Sequence, residues 1–121
     1  MDLYAEQIID LAKNPLNRGE MEAATLTSSG VNTTCGDHVR LYLKMEDRKV
    51  MDASWEGDGC AISIATASVL TEEIKGKKWT DSKELTKQDL YEWLGIDNLG
   101  PARVKCLTLS LETLHNALID L

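Results

Sequence analysis

Residues 57–76 read GDGCAISIATASVLTEEIKG and join a glycine-rich break to an apolar helix. The opening Gly-Asp-Gly is a turn-forming run that ends the segment before it. Residues 60–75 are rich in Ala, Ile, Val and Leu, and their apolar positions cover much of a helix circumference. A helix that is apolar on most of its sides is largely buried. Gly76 fits the C-terminal cap of this helix, so the stretch predicts a central helix around which the rest of the chain packs.

Two alternating segments precede this helix. Residues 39–45 alternate Val, Leu, Leu and Met with polar side chains or Tyr, and residues 51–56 alternate Met51, Ala53 and Trp55 with polar residues. A period of two is typical of a half-buried strand. The polar turn 46–48 between the two segments predicts an antiparallel hairpin.

The remaining segments predict three further helices and a weaker strand. Residues 3–13 form a short helix that Asn14-Pro15 ends, and residues 23–28 are β-prone but weakly patterned. We expect a polar surface loop over residues 77–84. Thr86 is the expected N-cap of a helix that ends at Gly95, because Asp89 follows it at capping-box spacing.

The last helix is the most regular element of the sequence. Pro101 suits its first turn, and one apolar stripe follows at helical spacing, formed by Val104, Leu107, Leu111, Leu114, Leu118 and Leu121. Helix, strands and then helices define an α+β class. A length of 121 residues corresponds to a single domain, residues 1–121.

The bulk composition excludes several classes of function. The net charge of −7 disfavours a nucleic-acid partner, since phosphate binding needs a basic surface. No stretch reaches the roughly 18 apolar residues of a membrane span. Residues 1–13 lack the basic start and apolar run of a signal peptide. We therefore expect a cytoplasmic protein that meets other proteins rather than a membrane.

Three cysteines, Cys35, Cys60 and Cys106, cannot all pair within one chain. In a cytoplasmic protein, spaced cysteines indicate metal or redox ligands more often than disulfides, although three unrelated buried thiols are the alternative. Each lies near a predicted element end. Cys60 and Cys106 fall towards helix N-termini, where the helix dipole favours the thiolate that binds metal. The alternative for both is a small apolar core residue.

Cys35-Gly36-Asp37 places a soft sulfur and a hard oxygen two residues apart. Three thiolates and one carboxylate make a tetrahedral set for zinc, or four ligands for a small iron–sulfur cluster. A carboxylate is the weak ligand for soft metal chemistry, which suits a site that releases its cargo. The alternative is that Asp37 is a turn residue or a cap.

Other polar residues are weaker candidates. Arg103 and Lys105 bring positive charge to the start of the last helix, which favours a Cys106 thiolate, unless both are simply solvated. His38 adjoins Asp37, but neighbouring strand residues point to opposite faces. His115 is expected at the surface. The tryptophans are expected to make packing or partner contacts: Trp55, Trp79 and Trp93.

Five short motifs, in order along nearly the whole chain, resemble the IscU/NifU/SufU-type iron–sulfur assembly family. They are Asn14-Pro15-Leu16-Asn17-Arg18-Gly19, Cys35-Gly36-Asp37, Gly57-Asp58-Gly59-Cys60-Ala61-Ile62-Ser63, Ile74-Lys75-Gly76-Lys77 and Arg103-Val104-Lys105-Cys106. The resemblance implies a SufE/NifU-like three-stranded antiparallel sheet packed against helices. It also implies that Cys35, Asp37, Cys60 and Cys106 hold zinc or a transient [2Fe–2S] cluster. The implied partners are a cysteine desulfurase as sulfur donor and carriers or apo-proteins as acceptors.

Two departures concern the branch of the family. Lys105 stands where IscU usually has a histidine, which looks like SufU, yet the gap between Cys60 and Cys106 is too short for the usual SufU insertion. The proline-rich chaperone-recognition motif of IscU is not intact at residues 99–103.

Three functions follow from the resemblance. They are a non-enzymatic scaffold, a zinc-dependent sulfur carrier or sulfurtransferase, and a structural zinc domain. The aspartate ligand disfavours the last, because structural zinc sites use Cys and His. The residues put forward for sulfur transfer are Cys106, as persulfide acceptor, and Lys105 beside it.

Overall fold

The computed structural model describes residues 3–34, 36–96 and 99–119. Its three strands form one antiparallel sheet in the order β1-β2-β3, with helices before and after it. This confirms the predicted α+β class. The elements are α1 (Leu3–Lys13), β1 (Leu26–Asn32), β2 (Asp37–Glu46), β3 (Lys49–Asp58), α2 (Ala61–Ile74), α3 (Trp79–Lys83), α4 (Lys87–Leu94) and α5 (Pro101–Leu118).

The β2–β3 hairpin forms as predicted, but its register contains a bulge. Its two turn residues, Asp47 and Arg48, both have positive φ (50° and 64°), as a two-residue type I′ turn requires. The register shifts next to Met45, which pairs with Val50. Met51 is therefore 50% exposed while Val50 is buried. The expectation that Met51 faces the core was wrong, because a bulge reverses the alternation on one side of it.

The core lies between one face of the sheet and the helices α2 and α5. The inward strand residues are fully or almost fully buried: Val39, Leu41, Leu43, Ala53 and Trp55. α2 packs against β3, α1 and α5, which confirms the predicted buried helix. Each large apolar side chain removed from water there contributes roughly 1.5–3 kcal/mol. α2 packs on β3, and α5 packs on β1 and β2, so both helices cover one face of the sheet.

The segment between α1 and β1 contacts both the end of β3 and α2. The Trp55 indole N–H donates to the Leu16 carbonyl over 2.8 Å, and the Leu16 backbone N–H donates to the Ser68 hydroxyl over 3.1 Å. The Arg18 guanidinium lies over the Trp55 ring, 5.1 Å from its centre, and donates to the Gly57 carbonyl over 2.7 Å. The segment therefore joins the end of β3 to α2.

One predicted loop is partly helical. Residues 79–83 form the short helix α3 inside the region 77–84 that we expected to be a surface loop. Ser82 is fully buried there, and the backbone N–H of Trp79 donates to the Arg48 carbonyl over 3.0 Å. Residues 79–83 show no apolar period, because a helix of five residues is too short for one.

The helix boundaries around α4 and α5 follow the predictions. The Thr86 backbone N–H donates to the Asp89 carboxylate over 2.8 Å, and Gly95 ends α4 in the left-handed conformation with φ of 67°. Pro101 occupies the first turn of α5. Leu121, the last residue of the predicted stripe, lies outside the described residues. Across the described ranges, no helix is long and apolar enough to cross a bilayer.

Candidate metal centre

Asp37, the first residue of β2, lies across from the start of α2 and is only 2% exposed. One carboxylate oxygen accepts the backbone N–H of Cys60 over 3.1 Å, and the other accepts the Ser63 hydroxyl over 2.8 Å. The carboxylate thus caps a helix N-terminus, where the dipole favours negative charge. The cap and the ligand are compatible roles, since a carboxylate has about four lone-pair sites.

Two glycines make this close approach possible. A Cβ at Gly59 would lie 2.6 Å from a carboxylate oxygen of Asp37, and a Cβ at Gly57 would lie 2.2 Å from the His38 carbonyl oxygen. Gly57 also has φ of 148°, which side-chain-bearing residues rarely adopt. Both glycines lie just before Cys60. In the structure, β2 and the Asp37 carboxylate approach them.

The two described cysteines reach Asp37 from different helices. Cys60 is the exposed N-cap residue of α2. Cys106 lies in the second turn of α5, is 4% exposed and has its sulfur 3.6 Å from the Ala102 carbonyl oxygen. One ligand atom from each of Asp37, Cys60 and Cys106 lies within 4.8 Å of the other two.

This spacing suits a tetrahedral ion. Two sulfur ligands of one zinc ion, each about 2.3 Å from it, lie about 3.8 Å apart. Side-chain shifts of about 1 Å would therefore let the three ligand atoms coordinate one ion. The structure therefore brings together three of the four predicted ligands, Asp37, Cys60 and Cys106. Cys35, the fourth, lies outside the described residues and stays a prediction.

The other candidate residues, Arg103, Lys105 and His38, have exposed side chains. Arg103 and Lys105 are exposed on α5, and Lys105 lines a surface depression with Asn32 and Thr108. His38 is exposed whereas its neighbour Asp37 is buried, as the strand alternation predicted. The proposed influence of Arg103 and Lys105 on the Cys106 thiolate stays a prediction.

Two expectations for side chains away from the centre had different outcomes. His115 was expected at the surface but is half-buried, and its Nε2 has no hydrogen-bond partner within the described part of the chain. The expectation was wrong because α5 is covered on more sides than its apolar stripe indicates. Trp55 is a packing residue, being 1% exposed.

Ser63 belongs to one of the motifs described above, but the sequence alone predicted no role for it. Ser63 is the third residue of α2, and its hydroxyl oxygen lies 2.8 Å from Asp37, 3.7 Å from the Cys60 sulfur and 3.4 Å from the Cys106 carbonyl oxygen. A signal existed: a polar side chain three residues after an N-cap can bond back to the capping region. Its acceptor, however, lies 26 residues earlier in the chain.

A three-stranded sheet that places one carboxylate within 4.8 Å of two thiols from two different helices defines a small α+β protein with a candidate metal site. The family model for the NifU-like N-terminal domain matches residues 3–121. The chain belongs to this family.

Relatives of known class align with this chain over nearly its full length. The iron–sulfur cluster assembly scaffold protein IscU of Thermotoga maritima is 36% identical over 131 aligned positions, covering 96% of this chain and 92% of the relative. The zinc-dependent sulfurtransferase SufU of Bacillus subtilis is 37% identical, covering 93% and 87%. A crystal structure of a Fervidobacterium islandicum protein, described as a scaffold for the SUF system, superimposes with a TM-score of 0.79 at 32% identity, covering 98% and 96%.

Proposed function

We propose that this protein is an iron–sulfur cluster assembly scaffold. It receives sulfur from a cysteine desulfurase, builds a [2Fe–2S] cluster as cargo and transfers the cluster to acceptor proteins. Its ligands are Asp37, Cys60, Cys106 and Cys35. The observation that carries the proposal is the convergence of the first three within 4.8 Å, in a chain whose relatives include named scaffolds.

The surroundings of the ligands suit a cargo that is loaded and then released. Cys60 is exposed and can meet a partner, while Asp37 and Cys106 are buried and held by defined elements. Soft thiolates bind iron well, whereas the carboxylate is a mismatched ligand. A scaffold needs both properties, because it must hold the cluster and also give it up.

A zinc-dependent sulfur carrier is the second candidate, favoured by the similarity to the Bacillus subtilis sulfurtransferase and by Lys105 before Cys106. The two functions share a ligand set and differ in cargo. The alignment with that relative runs over 129 positions, more than the 121 residues of this chain. The relative therefore carries residues that this chain lacks.

Metal analysis and spectroscopy separate the two candidates. Protein purified without oxygen is incubated with iron, L-cysteine and a desulfurase, and its ultraviolet–visible spectrum and metal content are measured. A scaffold should gain cluster absorption, about one cluster per chain, and lose it to an added apo-protein. A carrier should keep about one zinc ion and gain persulfide without cluster absorption. A protein that takes up neither metal, cluster nor sulfur contradicts both.

Cys106 is our choice for the first persulfide. Its thiolate attacks the terminal sulfur of the desulfurase persulfide, the S–S bond breaks, and the desulfurase cysteine leaves as thiolate. The positive charge of Lys105, the residue before Cys106, favours the Cys106 thiolate. Because its thiol is buried, the start of α5 must open for the attack, whereas Cys60 is already exposed.

Mass spectrometry checks this choice. The protein is incubated with a desulfurase and L-cysteine, alkylated at short times and digested. We expect the extra sulfur on the peptide that contains Cys106. Early label on Cys60 or Cys35 with none on Cys106 would overturn the assignment and indicate that accessibility decides which thiol reacts.

A further inference from the structure

The Ser63 hydroxyl stands at the point where the three described ligand residues meet. Its closest acceptor is a carboxylate oxygen of Asp37, at 2.8 Å, and the next are the Cys106 carbonyl oxygen and the Cys60 sulfur, at 3.4 and 3.7 Å. Ser63 itself is 8% exposed. A hydroxyl has a single proton to donate, so it bonds strongly to one of these acceptors at a time.

We propose that Ser63 is a positioning residue that holds the Asp37 carboxylate at the N-terminus of α2 and so keeps Asp37 an exchangeable ligand. The inference rests on the proposed scaffold function. In the arrangement described here, both oxygens of Asp37 already have donors, from Ser63 and from the Cys60 backbone. A metal that binds an oxygen of Asp37 would compete with these two hydrogen bonds. When the carboxylate dissociates from the metal, the same two donors would bind it again.

The geometry gives the Ser63 proton a second acceptor. If Asp37 turns towards a metal, the hydroxyl can donate to the Cys60 sulfur or to the Cys106 carbonyl without a change in the backbone. Leaving a buried donor without an acceptor is costly, so a nearby alternative lowers the barrier to exchange. Hydrogen bonds to cluster sulfur ligands also tune a cluster. Ser63 therefore has a partner both before and after the exchange.

The first test replaces Ser63 by alanine and times cluster transfer to an apo-protein. Without its hydroxyl, the off-metal position of Asp37 loses a hydrogen bond to a charged group, and we expect transfer about tenfold slower with cluster content unchanged. Ser63→Thr, which keeps a hydroxyl, should restore most of the rate. Ser68→Ala is the matched control, because it removes another buried α2 hydroxyl, one bonded to Leu16 and Ile64. Its transfer rate should equal that of wild type.

The second test is a double-mutant cycle, measured by denaturant unfolding of the metal-free protein. Ser63→Ala and Asp37→Ala should each lower the unfolding midpoint, and the double variant should be no less stable than Asp37→Ala alone. The same holds for transfer, where Ser63→Ala should add nothing to Asp37→Ala. Additive losses, or a Ser63→Ala protein that transfers at the wild-type rate, would overturn the inference. If wild type itself builds no cluster, the scaffold function fails, whereas the stability cycle still tests the Ser63–Asp37 contact.

Discussion

Replacing Cys60 or Cys106 by serine is expected to abolish metal and cluster binding, with an affinity loss of more than about 100-fold. Mutation of groups that only support a ligand already costs about 10–100-fold, and a serine hydroxyl is a hard oxygen in place of a soft thiolate. Both sulfur atoms lie within 4.8 Å of an Asp37 oxygen. Cys35→Ser is expected to have the same effect by the resemblance that names it as a ligand. Zinc titration with a competing chelator and cluster absorption measure the loss.

Loss of fold must be separated from loss of the ligand. Cys106 is buried in the core cluster, so a serine there also introduces a polar group. Cys106→Ala keeps the position apolar and serves as its matched control. Both variants should fail to bind, and the alanine variant should keep more of the wild-type stability. A cysteine variant that keeps full metal content and cluster assembly would show that its cysteine is not a ligand.

The elements that sequence predicts best are those whose own pattern carries the signal. The apolar residues of α2 and the apolar stripe of α5 each predict a buried helix. β1 was weakly indicated because most of its residues, LTSSGVN, are small or polar. Tertiary packing explains the small residue at position 30, because a Cβ at Gly30 would lie 2.3 Å from the Thr113 hydroxyl on α5. A strand can be selected for a close approach to a helix rather than for its own alternation.

The site divides in the same way. Local patterns alone predict that Cys60 and Cys106 lie near the starts of helices, but no local pattern indicates that the start of β2 faces the start of α2. That contact is set by the β2–β3 register, in which His38 pairs with Asp58, and by glycines that admit the Asp37 carboxylate. The cap that Asp37 provides and the role of Ser63 depend on this long-range pairing. They could not be derived from spacing.

Asp37→Ala should slow cluster transfer by about tenfold while weakening cluster binding less. In the proposed ligand set the carboxylate oxygen is the one hard ligand among soft thiolates, so we expect its bond to the metal to open when cargo leaves. The structure adds a destination for it, since the Cys60 N–H and the Ser63 hydroxyl hold the free carboxylate. With alanine, no ligand can leave for this position, and release must break a stronger bond to sulfur.

The measurement loads wild type and Asp37→Ala with a cluster and times transfer to one apo-protein by absorption or by the acceptor's activity. Loss of a cap costs about 0.5–2 kcal/mol, so the temperature is kept well below the unfolding midpoint of the variant. Asp52→Ala is the control, because it removes a β3 carboxylate whose partner is Lys75 and should leave transfer unchanged. A variant that transfers as fast as wild type would remove the case for a labile ligand. A variant that binds no cluster would instead make Asp37 an indispensable ligand, because the three thiolates could not hold the cargo alone.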